Sequence, residues 1–92
     1  MLTLRAISTQ AEILTELAQE HASNPQALAA LATLTDGLKA EYARFGEDIT
    51  AANALDVLTA RIETLGGQAS GDTASASAWL DSNLNGILTS NQ

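Results

Sequence analysis

The feature that most constrains this chain is a switch of its apolar face between Ile49 and Leu55. At about 100° per residue, Leu28, Leu31, Leu34, Leu38, Tyr42, Phe45 and Ile49 share one side of a helix, while Leu55, Leu58, Ile62 and Leu65 fall roughly 150° around from them. One straight helix through both sets would present two opposed apolar faces. Gly46 suits a helix-ending turn, and the acidic pair Glu47-Asp48 suits the positive start of a new helix with Asp48 as its cap. The pattern therefore predicts a second helix ending near Gly46 and a third from about Asp48 to Leu65, with Ala51, Leu55, Leu58, Ile62 and Leu65 on one face. The alternative is a helical hairpin with one long helix over residues 25–65 whose halves grip different partners.

The flanking signals complete an all-α reading. Asn24 followed by Pro25 is a helix start, because the Asn side chain accepts an orphan amide and proline at the first position has no amide to lose. Upstream, Thr9-Gln10-Ala11-Glu12 has the form of a capping box, with Leu14, Leu17 and Ala18 behind it. Leu4, Ile7, Ala11, Leu14 and Ala18 also fit one helical stripe, so the first helix is placed from about Thr3 to His21; an extended arm over residues 1–8, with Leu2, Leu4 and Ala6 on one side, is the alternative. Gly66-Gly67 ends the third helix. Residues 68–77 (QASGDTASAS) read as a flexible linker, and a short helix follows from Ala78 until Gly86 stops it. The expected organisation is a three-helix up-down-up bundle over residues 1–67, a linker over 68–77, and a short C-terminal docking helix and tail over 78–92.

Composition limits what such a bundle can do alone. At 92 residues the chain hides only about 60 to 65% of its unfolded surface. Eighteen alanines and fourteen leucines make up most of its apolar content, with Tyr42, Phe45 and Trp79 the only aromatics. Alanine favours helix and lets helices approach closely, but buries little area. Burial against neighbouring chains is thus an expected supplement. Four basic residues against eleven acidic ones give a net charge of −7, which repels phosphate backbones and anionic membranes. Without cysteine there are no disulfides, thiolate metal sites or cysteine nucleophiles. The N-terminal MLTLRAISTQAEILTELAQEH lacks an unbroken apolar core, so it reads as neither a signal peptide nor a membrane span, and a cytoplasmic location is expected.

Few residues offer chemistry. Asp81, Asn83 and Asn85, followed by Gly86, resemble the opening of a calcium-binding EF-hand loop, with oxygen ligands at alternate positions and a glycine at the sixth. Only one carboxylate is offered, and the position of the closing bidentate glutamate is Gln92, so a helix C-cap at Asn85-Gly86 is the simpler reading. His21, the single histidine, suits the negative end of the first helix. Glu12, Glu16 and Glu20 read as a solvated face, and no serine or threonine sits in a nucleophile elbow. The expectation is a protein that is not an enzyme and holds no cofactor.

Apolar residues off the helical stripes carry more information. Ile13 lies on the glutamate side of the first helix, and Val57 points away from the stripe of the third. Trp79, Leu80, Leu84, Ile87 and Leu88 belong to a tail whose short helix needs a surface to dock on. These seven are the expected contacts with protein partners, either copies of the chain or subunits of a larger assembly such as a phage particle. An acidic inhibitor that occupies a basic, nucleic-acid-binding surface is the competing reading, since the charge fits it.

Overall fold

Three helices of this protein start at a side-chain oxygen. The computed structural model describes residues 3–46, 48–69 and 73–84, Thr73 and Leu84 by backbone alone. Those residues form four α-helices: α1 (Leu4–Glu20), α2 (Pro25–Tyr42), α3 (Ile49–Thr64) and α4 (Thr73–Leu84). Thr3 Oγ1 accepts from the Ala6 amide at 3.0 Å, which starts α1. Asn24 Oδ1 accepts from the amides of Gln26 and Ala27 ahead of Pro25. Asp48 Oδ1 accepts from Ala51 at 2.9 Å. Each cap satisfies a donor that would otherwise be unpaired and contributes about 1 kcal/mol.

The face switch is resolved by a turn. Gly46 has φ 84, the left-handed conformation that stops a helix, and the chain re-enters helix at Ile49 behind the Asp48 cap. Tyr42 staples this turn: its hydroxyl accepts from the Asp48 amide at 2.9 Å and donates to the Asp48 carbonyl at 3.3 Å. The single helix over residues 25–65 is therefore not formed. Phe45, the last residue of the expected α2 stripe, falls past the end of the helix and is 41% exposed.

At the far end of α3 the Gly66 amide donates to Glu63 O and the Gly67 amide to Ile62 O, the paired bonds of a Schellman motif, with Gly66 at φ 87. The chain then passes so close to α2 that a β-carbon on Gly67 would lie 2.7 Å from Ile62 Cγ2 and 3.2 Å from both Leu28 Cβ and Leu28 O.

The course of the chain is up-down-up. Leu4 to Thr9 of α1 share a depression with Asp48 and Thr50, while Gln19 near the other end accepts from Arg61 at 2.6 Å, so α1 and α3 run parallel. α2 runs against them, with Tyr42 at Asp48 and Leu28 beside Gly67. The core is Ile7, Ala11, Leu14 and Ala18 of α1, Leu28, Leu31 and Leu38 of α2, and Ala51, Leu55, Leu58 and Ile62 of α3. Ile7, Leu14, Leu31 and Leu58 are fully enclosed, and each gains about 1.5–3 kcal/mol from burial. Alanines at 11, 18 and 51 bring the backbones together, with α1 and α3 the most closely packed pair.

The first helix starts where the stripe through Leu4 and Ile7 placed it, with Thr3 as its cap, and the capping-box residues at Thr9 lie inside α1. Two features differ from the sequence reading, the start of α4 and the burial of Leu80. α4 begins at Thr73, five residues into the stretch read as linker, because Ala76 is buried against α2 and rewards helix in that segment. Leu80 is 3% exposed and belongs to the chain's own core, so it is not available to a partner. α4 packs on α2 and on no other helix. Two buried threonines of α2 were not singled out from sequence: Thr33 donates to Ala29 O and Thr35 to Leu31 O, satisfying their hydroxyls within the helix.

Candidate docking surface

Trp79 and Leu80 of α4 pack against the core. Trp79 is half-buried, its ring edge-on to His21 with centroids 5.8 Å apart and planes at 85°, and it lines a cleft of about 170 Å³ with Gln26, Ala29, Ala30, Ser75 and Ala76. The aromatic expected to anchor a partner therefore anchors α4 to the end of α1 and the start of α2. Its exposed remainder is small. Ile13 is also half-buried, packed against the core beside α1.

Asp81 and Asn83 sit on α4 and not in a loop. Two residues apart on a helix point about 200° from each other, so their oxygens do not converge on a common ion. The Asn83 amide is used in place, donating to Trp79 O at 2.8 Å. Leu84 is described by backbone alone, and Asn85, Ile87 and Leu88 lie outside the described residues.

Val57 is where the sequence reading and the exposed surface coincide: it is 54% exposed. Ile49, which the sequence assigned to the face of α2, is 80% exposed on the first turn of α3. On α3 the two lie within about 80° of each other, with Asn53 between them, on the side away from Ala51, Leu55, Leu58 and Ile62. The signal for Ile49 was present in the Asp48 cap, since counting from that cap puts it roughly 150° from the buried stripe.

Burial shows which flank of the bundle is bare. Eight α2 side chains are buried, from Ala27 to Leu38, because α1 and α3 cover one side and α4 the other. Only four are buried on α3. Along the uncovered seam of α1 and α3 runs a groove of about 550 Å³, lined by Glu12, Thr15 and Glu16 from α1 and Thr50, Asn53, Ala54 and Val57 from α3. No α2 or α4 residue reaches it.

Charge separates this groove from three other depressions on the protein. The α2/α3 cleft holds Lys39 with Asp36 and Glu63, the depression at the start of α1 holds Arg5 with Asp48, and the cleft at Trp79 holds no charged residue. The α1/α3 groove has two carboxylates and no base. Arg61, one turn beyond Val57, donates to Gln19 instead. Among the described residues no three His, Cys, Asp or Glu side chains are gathered as a metal site, and no helix is long and apolar enough to cross a membrane.

These features define an all-α helical bundle with one bare flank. No protein family, curated protein or solved structure matches the chain.

Proposed function

We propose that this protein is a small structural or assembly subunit, a helical bundle that packs against other chains in a larger complex. The observation that carries the reading is the exposure of Ile49 and Val57 on one side of α3, beside a groove that no other helix covers. Single exposed apolar residues are ordinary on protein surfaces. Two β-branched ones along the same flank, next to an open groove, mark a contact surface. What favours α1 and α3 over Trp79 and Leu80 as the contact is that these two α4 side chains pack against the chain's own core.

The test is carboxylate-directed cross-linking in the cells that make the protein, read by mass spectrometry, with light scattering on the purified chain. Inter-protein cross-links at Glu12, Glu16 or Asp56 are expected. A chain that stays monomeric at every concentration and forms no inter-protein cross-link refutes the reading.

A further inference from the structure

We infer that the α1/α3 groove receives a basic amphipathic helix of another protein, one with apolar side chains on one face and two Lys or Arg residues a turn apart on its flank. This rests on the packing function proposed above and adds the chemistry of the partner.

Shape comes first. The groove lies between two parallel helices, and Ala54, Val57, Thr15 and Thr50 line it together with the glutamates. Its volume of about 550 Å³ is of the size that holds a drug-sized ligand, enough for a row of side chains from a helix laid along the seam. Ile49 extends the apolar contact beyond the groove: from Ile49 to Val57 is about 12 Å of helix rise, roughly two turns of a partner.

Charge then selects the occupant. Glu12 and Glu16 stand one turn apart on α1, both exposed, and neither has an ion-pair partner among the described residues. Like charges at this spacing disfavour the helix that carries them. Two basic side chains at the same spacing on a docked helix would relieve that repulsion while Val57 and Ala54 take its apolar face. Arg5 and Arg61 bracket the seam at its two ends, confining the acidic stretch to the middle and fixing where the bases must fall. A second copy of this chain is the poorer occupant. It would bring a further net charge of −7 to the same flank and offers four basic residues in all.

A synthetic amphipathic peptide of leucine and lysine, with a leucine/glutamate peptide of the same pattern as control, supplies the probe. Amide NMR of the isotope-labelled protein should show shifts gathered at Glu12, Thr15, Glu16, Asn53, Ala54 and Val57 with the lysine peptide only. Emission from Trp79 should not move, since it lies on the α4 side. The double variant Glu12→Gln, Glu16→Gln should weaken binding about tenfold. The pair Glu63→Gln, Asp81→Gln removes the same charge elsewhere and should leave binding within about twofold. Val57→Ser should also weaken it, with helix content unchanged by circular dichroism. Equal loss from both glutamine pairs, or shifts scattered over the surface, overturns the proposal. So does self-association that shifts the groove amides and excludes the peptide, which would make the occupant a second copy. Those three results leave the packing function standing, because the cross-linking experiment decides it separately.

Discussion

Replacing Gly67 by alanine tests the packing of α3 onto α2 at one atom. The added β-carbon would sit 2.7 Å from Ile62 Cγ2, closer than nonbonded carbons approach, and 3.2 Å from Leu28 Cβ and Leu28 O. Ile62 and Leu28 are both 3% exposed, so neither side chain has room to swing out, and the Leu28 carbonyl is fixed within α2. Overpacking of this kind costs about 1–3 kcal/mol, while loss of glycine's freedom in the unfolded chain returns about 0.4–1 kcal/mol. A net loss of about 1–2 kcal/mol is expected, which lowers Tm by about 5–15 °C in a domain of this size. Thermal unfolding followed by circular dichroism measures it. The internal control is Gly37→Ala: that site lies in the interior of α2 with nothing within 4 Å of the added carbon, so alanine should stabilise by about 1 kcal/mol. If Gly67→Ala matches or exceeds the wild-type Tm, the approach of the chain to Leu28 and Ile62 is not as described.

Three further substitutions have definite expectations. Gly66→Ala meets nothing within 4 Å, so its cost of about 1 kcal/mol comes from φ 87 alone, and Gly66→Asn should recover part of it in the same melting experiment. Tyr42→Phe removes both bonds to the Asp48 backbone and should cost about 1–2 kcal/mol in urea denaturation, with the slope unchanged. Leu80→Ala should cost about 2–4 kcal/mol and shift Trp79 emission to the red as α4 loosens; unchanged stability and emission would mean that α4 does not need Leu80 to stay on α2.

Local chemistry made much of the fold legible. Asn24-Pro25, Gly46, Asp48 and Gly66-Gly67 act through their own side chains or backbone freedom, and each marks an observed boundary. The Thr9 box is equally compatible with a helix interior, and the stripe through Leu4 and Ile7 was the signal for the earlier start at Thr3. The stretch before Ala78 misled. Thr73 to Ser77 has the small, polar composition of a linker, and its helix depends on Ala76 meeting α2, a contact far away in sequence. For the docking surface, Val57 was visible from its position off the stripe. Ile49 was hidden by its agreement with the face of a helix that ends before it. Glu12 and Glu16 read as an ordinary solvated face because only the fold brings Val57 of α3 alongside them.

The position of α4 bears on why Val57 and Ile49 are left exposed on α3. A three-helix bundle whose α2 carries buried residues around most of its circumference leaves half of that helix uncovered, and the chain covers that half itself with α4. This covers the Ala/Leu helix that has the most buried side chains of the four. Among the described residues the parallel α1/α3 pair gets no such cover, and its outer seam combines exposed Val57 and Ile49 with Glu12 and Glu16, for which no ion pair is formed among those residues. If the tail were the partner-binding element, removing its apolar side chains would spare the fold and abolish association. If the α1/α3 flank is the contact, the opposite division is expected: substitutions at Ala76 and Leu80 should lower stability, and substitutions at Val57, Glu12 and Glu16 should weaken association with stability intact.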